Sequence, residues 1–190
     1  MRRLVIAVIG DARIAKASMK WKLAESLGRR LVDEGFRIVT GGLGDLPEAV
    51  ASGARRSKRY REGDLFAILP GFDPEVVGMH SDIAIATGID QARNMIVANS
   101  DAVVAIGGGA GTLSEIAFAW SLKRLIMAYR VKGWSGKLAG TRIDSRQRIR
   151  AGAQDKIYPV DSAEDVLHCL RLLPRYRQRH RRTVVRRTDQ

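Results

Sequence analysis

Short aliphatic runs alternate along the chain with longer stretches in which apolar residues recur every three or four positions. Leu4–Ile9 is continuously aliphatic and stops at Gly10, the pattern of a strand covered on both faces. From Ser18 the spacing changes. Trp21, Leu23, Ala24, Leu27, Leu31 and Val32 mark the buried stripe of a helix, which Gly35 terminates. Phe36–Val39 predicts a second strand closed by Thr40-Gly41-Gly42-Leu43-Gly44, and a helix from about Pro47 turns Ala49, Val50, Gly53 and Ala54 inward. Further strands are predicted at Leu65–Leu69, Ile83–Ala86, Ala102–Ile106 and Leu125–Tyr129. Helices are predicted over Ile89–Asn99, about Leu113–Lys123, and Asp161–Leu173. Residues 131–156 are rich in Gly, Lys and Arg without periodicity and read as an excursion or long loop.

Strands alternating with helices imply an α/β, Rossmann-like three-layer fold with a mainly parallel sheet of six or seven strands. One nucleotide-binding domain is expected over residues 1–174, followed by a basic, mobile tail over 175–190 that holds seven arginines and one aspartate. Ligands of such folds sit beyond the carboxyl ends of the strands, where the strand order reverses. The turns at Gly10, Gly41–Gly44 and Gly107–Gly111 fall on that edge, and Gly10, Asp11, Gly41, Gly42, Gly44 and Asn94 are candidates to line it.

Composition narrows the class. The 190 residues are 45% hydrophobic and 28% charged, enough to bury a core. One cysteine, Cys169, excludes an intramolecular disulfide framework and fits a reducing compartment. No apolar run is long enough for a membrane span. Met1-Arg2-Arg3 before the first strand imitates a signal peptide, but the run breaks at Gly10-Asp11-Ala12-Arg13, so a cytoplasmic protein without membrane contact is expected. The formal net charge is +13, concentrated at Arg55–Arg61, in 142–156 and in the tail. That footprint predicts salt-sensitive, non-specific contact with nucleic acid. Neither the stacking aromatics of an RNA-binding sheet nor a helix-turn-helix spacing accompanies it.

The chemistry concentrates in AVVAIGGGAGTLSEIAFA. A buried strand runs into Gly107, Gly108, Gly109, Ala110, Gly111 and Thr112, and a helix follows. Glycines allow close backbone approach, and first-turn amides point at an anion, so these six residues are the candidate phosphate cradle. The bland alternative is a turn that packs a helix close to a strand. The spacing is neither the dinucleotide GxGxxG nor a P-loop. Thr112 and Glu115 also form a capping-box pattern, with Thr112 at the cap. A carboxylate beside a phosphate cradle could instead activate water or stabilise an oxocarbenium-like sugar, so Glu115 carries both readings. Arg93 is either a solvated surface arginine or a guanidinium forked onto phosphate. His80, His168, His180 and Cys169 show no metal-ligand spacing, and no metal is expected.

The ordered set Gly41-Gly42 with GDLPEAVASGA, Leu69-Pro70-Gly71, Gln91-Ala92-Arg93-Asn94 and GGGAGTLSE after a strand resembles the "lonely guy"/lysine-decarboxylase-like superfamily over about residues 4–130. It is closest to the branch resembling molybdenum cofactor carrier proteins. The resemblance implies a Rossmann-like fold and a homodimer or higher homo-oligomer. The superfamily's enzymes resemble phosphoribohydrolases, which cleave nucleoside 5′-monophosphates to base and ribose 5-phosphate; lysine decarboxylation is not implied. By that resemblance Arg93 and Glu115 stand at catalytic positions. Gly107 replaces the leading proline of the enzymes' PGGxGTxxE motif, and Asn94 replaces a lysine. These departures lean toward a carrier that needs no cofactor of its own and binds a molybdopterin-type cofactor or a mononucleotide. The phosphoribohydrolase and a nucleic-acid-binding module are the alternatives.

Overall fold

In the computed structural model, which describes residues 2–146, 148–149 and 155–180, aliphatic runs become strands buried on both sides. The chain forms β1 (Val5–Gly10), α1 (Met19–Asp33), β2 (Arg37–Thr40), α2 (Asp45–Arg55), β3 (Leu65–Leu69) and a 3₁₀ turn at Pro74–His80. Next come β4 (Ile83–Ala86), a 3₁₀ turn at Asp90–Arg93, α3 (Asn94–Ala98), β5 (Ala102–Ile106) and α4 (Ala110–Ser121). Then follow β6 (Leu125–Tyr129), α5 (Trp134–Leu138), β7 (Tyr158–Val160), α6 (Ala163–Leu170) and α7 (Leu173–His180).

All seven strands are parallel, in the order β4-β3-β2-β1-β5-β6-β7. Alternation along β1 divides the core. Ile6 and Val8 pack with Leu27, Leu31 and Val50 of α1 and α2, and α6 and α7 lie in the same layer. Ala7 and Ile9 pack with Val97, Ile116 and Trp120 of α3 and α4 on the other face. Each aliphatic side chain buried this way contributes about 1.5–3 kcal/mol. The order reverses between β1 and β5, and the loops after those two strands therefore diverge around the crevice where such folds take ligands. No helix among the described residues is long and apolar enough to cross a membrane.

Several boundaries differ from the sequence reading, for local reasons. β7 is three residues long with Pro159 inside it, which is tolerated because it is an edge strand. Asp161–Leu173 divides into α6 and α7 because Pro174 cannot donate to a continuing helix; its missing N–H falls harmlessly in the first turn of α7. The domain also runs past residue 174. Tyr176 is fully buried in the core, and its hydroxyl donates to Asp155 Oδ1 at 2.9 Å. The remainder of the expected tail, 181–190, lies outside the described residues.

The excursion after β6 is partly built. Arg148 is fully buried and forks onto Asp155, at 3.1 Å from Nε and 2.7 Å from Nη2, while its guanidinium stacks 3.6 Å from the Trp120 ring centroid. Trp120 Nε1 donates to Asp144 at 2.9 Å, so this segment is fastened to α4. An enclosed charge persists in such a place because its donors are paired.

Candidate functional site

The cradle forms where β5 hands over to α4. α4 begins at Ala110 with Gly109 as its N-cap, three residues before the sequence pattern placed it. The capping box therefore does not form. Thr112 sits inside the first turn, and its buried hydroxyl donates to the Gly10 carbonyl at 3.0 Å, tying α4 to β1. Glu115 is turned away from the cap and toward Arg93. Gly109, Ala110 and Gly111 are exposed, and first-turn amides of a helix have no intrahelical acceptor, so this stretch presents open N–H donors.

Gly107 and Gly108 are buried and committed elsewhere. The Gly107 amide donates to Ser135 Oγ at 2.7 Å, and the Ser135 amide returns a bond to the Gly107 carbonyl at 2.9 Å. Ser135 Oγ donates in turn to the Tyr129 carbonyl at 2.8 Å, and the Trp134 amide donates to the Gly108 carbonyl at 3.0 Å. These two glycines hold the shape of the loop, and the exposed stretch starts at Gly109. Gly107 has φ +69°, and a Cβ there would collide with Asp11 Oδ2 and lie 2.7 Å from Lys20 Nζ. The position that the resemblance fills with proline in the enzymes is here occupied, above the backbone, by an Asp11–Lys20 ion pair.

On the other side of β1, Arg93 lies flat against Gly41. A Cβ at Gly41 would collide with Nη1 of Arg93 and approach Nη2 to 2.8 Å, so the absence of a side chain makes room for the guanidinium. Arg93 Nη1 is 3.7 Å from Glu115 Oε1, an ion pair without a hydrogen bond. Nε and Nη1 of Arg93 are buried and have no hydrogen-bond partner among the described residues. Burial lowers the Arg93 pKa from its ordinary value, against the attraction of Glu115 and Asp90. Burial pushes the Glu115 carboxyl up to about 7, while Arg93 pulls it down. Asp90, three residues before Arg93, has φ +49°, a left-handed backbone that costs a non-glycine residue free energy. Its amide is anchored on the Pro70 carbonyl at 3.0 Å.

Asn94 is buried and donates to Ser114 Oγ at 2.9 Å and to Gln91 Oε1 at 3.3 Å, bracing α3 against α4. The structure thus brings Gly10, Asp11, Gly41, Arg93, Asn94, Thr112 and Glu115 to one edge. Gly42 packs on Ala67 and Leu69, and Gly44 on the Ala12 backbone, so these two shape loops. Lys20, Ser114 and Ser135 contact Asp11, Asn94 and Gly107 respectively but were not singled out from sequence. Each lies in a segment whose distance to the glycine loop only the fold sets. Among the described residues no group of three His, Cys, Asp or Glu side chains is placed to hold a metal ion.

An uncharacterized protein of Archaeoglobus fulgidus is 37% identical over 120 residues, 63% of this chain and 75% of that one. The molybdenum cofactor binding protein of the phototrophic bacterium Rippkaea orientalis superposes with a TM-score of 0.73 at 28% identity, covering 92% of this chain and 99% of that chain. The molybdenum cofactor carrier protein of Chlamydomonas reinhardtii gives 0.71 at 23% identity over 90% and 99% of the two chains. DNA processing protein A of Helicobacter pylori gives 0.56 at 17% identity over 71% of each chain. The last two likenesses concern the fold alone. The sequence matches one family over residues 3–165, nearly the whole described domain, and the chain belongs to the SLOG cluster4 family.

Proposed function

We propose that this protein is a cytoplasmic carrier or binding protein for a phosphate-bearing small molecule of the molybdopterin or mononucleotide type. The observation that carries this reading is Arg93, whose Nε and Nη1 are buried without hydrogen-bond partners among the described residues, at the same sheet edge as the exposed stretch Gly109–Gly111. A buried donor left unpaired costs about 1–3 kcal/mol, more when charged, and a bound anion would recover that cost. The likeness to the Rippkaea orientalis protein, which binds molybdenum cofactor, supports the pterin member of this ligand class. Phosphate would rest on the helix amides and Arg93, and recognition would pass through the phosphate rather than through metal ligands of the protein. Native mass spectrometry of the purified protein, followed by denaturation and identification of the released molecule, tests the proposal. A retained phosphorylated pterin or mononucleotide is the expected result.

One observation favours phosphoribohydrolase as the second reading. Glu115 is buried, with its pKa pushed up to about 7, where it can both give and take a proton. In that case Glu115→Gln abolishes release of ribose 5-phosphate from AMP or GMP. Wild type that binds a mononucleotide yet releases no base over hours rules this reading out.

A homodimer forms part of the same proposal. α3 is only five residues long, and on its side of the sheet Ile83 and Ile85 of β4 stay exposed, as do Met95, Ile96 and Phe118 on the neighbouring helices. An apolar face of this extent suits a second copy. Non-specific nucleic-acid contact through the net charge is the weakest member. In the Arg55–Arg61 cluster, Arg55 and Arg56 already pair with Asp82 and Glu25.

A further inference from the structure

We propose that Lys20, held by Asp11 against Gly107, is a second anion-recognition residue of this site, so that the preferred ligand carries a second anionic group some distance from its phosphate. The inference rests on reading the edge as a phosphate site and deepens it. Lys20 stands in the first turn of α1, and Asp11 directly follows β1. Their ion pair lies on the bare backbone of Gly107, and each side chain keeps 24% of its surface exposed. Both ends of the pair therefore stay within reach of a ligand at this edge.

The layout of the edge gives the reason for the pair's position. Arg93 lies against Gly41 after β2, Lys20 lies against Gly107 after β5, and β1 runs between those two strands. With neighbouring strands about 4.8 Å apart, the two glycines that carry the cations stand about two strand spacings apart, on either side of the end of β1. Each cation has a carboxylate of the chain itself as its ion-pair partner, Glu115 for Arg93 and Asp11 for Lys20. A lone phosphate on Gly109–Thr112 and Arg93 leaves Lys20 with its own carboxylate. A ligand with two separated anionic groups engages both cations, and Asp11 then acts as a built-in competitor for Lys20. Removing the competitor and removing the cation must therefore have opposite effects. A purely structural pair would lose binding by either change.

Titration calorimetry with AMP and with adenosine 3′,5′-bisphosphate tests this on wild type and on Lys20→Met, Lys20→Gln, Asp11→Asn and Arg93→Ala, each checked by thermal melting. Wild type should bind the bisphosphate about 10-fold or more tighter than AMP, the scale of one charged hydrogen bond. Both Lys20 variants should lose that preference while holding AMP affinity within about 3-fold, and Asp11→Asn should tighten the bisphosphate. An unchanged bisphosphate-to-AMP ratio in the Lys20 variants, or equal weakening by Asp11→Asn and Lys20→Met, overturns the second subsite and leaves the phosphate site standing. Failure of wild type to bind either ligand, with Arg93→Ala indistinguishable from it, overturns the mononucleotide reading of the site and the second subsite with it.

Discussion

Arg93 Nη1 lies 3.7 Å from Glu115 Oε1, with the two side chains only 13% and 9% exposed. That distance is long enough to leave the guanidinium without a hydrogen bond to the carboxylate and short enough for each charge to govern the other. The pair comes from two segments, the 3₁₀ turn before α3 and the second turn of α4, and Asn94 braces them by donating to Ser114.

Neutralising the carboxylate should separate binding from chemistry. Glu115→Gln removes a negative charge next to the anion position and leaves Arg93 in place. AMP affinity should stay the same or rise by up to about 1 kcal/mol, since a single like charge nearby is being removed. Titration calorimetry reads this directly, and a fall in affinity of more than threefold would count against it.

Stability should fall as pH rises, through Glu115. Its pKa is about 7 folded and 4.5 ordinarily, so the folded state holds the proton more tightly. The contribution is fully present below pH 4.5 and is lost as pH climbs to about 7. The full span is worth ~3 kcal/mol, at 1.36 kcal/mol per pKa unit. Urea melts at pH 5 and pH 8 should show the loss in wild type and a smaller one in Glu115→Gln. Equal losses in the two proteins would show that other groups set the dependence.

Gly41→Ala should behave like Arg93→Ala. Gly41 does not have a positive φ, and the atoms that its new methyl meets are the far end of the Arg93 side chain. The backbone can keep its shape while the guanidinium is displaced. The melting temperature should move little, within about 0.5 kcal/mol of stability, whereas phosphate-ligand affinity drops. Intact affinity in this variant would place Arg93 outside the site.

How far the sequence could be read follows from which signals are local. β3, β4, β5 and β6 match their predicted bounds because an aliphatic run ending at a glycine, proline or polar turn is visible without knowing its neighbours. β7 has three residues and a proline, too little pattern to stand out. The helix over Ile89–Asn99 starts as a 3₁₀ turn because left-handed Asp90, anchored on Pro70, delays it. Arg93, Glu115 and the glycine loop were legible as a motif. The partners that decide their roles were not. Thr112 serves Gly10, 102 positions away, and Gly107 serves Ser135, 28 positions away. The reading of Thr112 as a helix cap, and of Gly107 as an amide donor to the ligand, fails for that reason.

The C-terminal boundary gives a further prediction. Removing 175–190 takes Tyr176 out of the core and leaves Asp155 without its hydroxyl. Deleting a buried aromatic of this kind costs about 3–5 kcal/mol, roughly 10 °C in melting temperature for a domain this size. Removing only 181–190, with four arginines and one aspartate, should leave the melting temperature unchanged and weaken retention on a polyanion column. Equal melting temperatures for the two truncations would contradict the docking of Tyr176.

The central claim is that Arg93 and the first turn of α4 bind a phosphate-bearing ligand. Calorimetric titration of wild type and Arg93→Ala with AMP and with a phosphorylated pterin, at pH 7 and fixed salt, tests it most directly. Saturable binding of at least one ligand is predicted, weakened in Arg93→Ala by about 1.5–3 kcal/mol, the worth of a hydrogen bond to a charged group. No binding of either ligand, or equal binding by both proteins, would contradict it and leave GGGAGT as a packing turn.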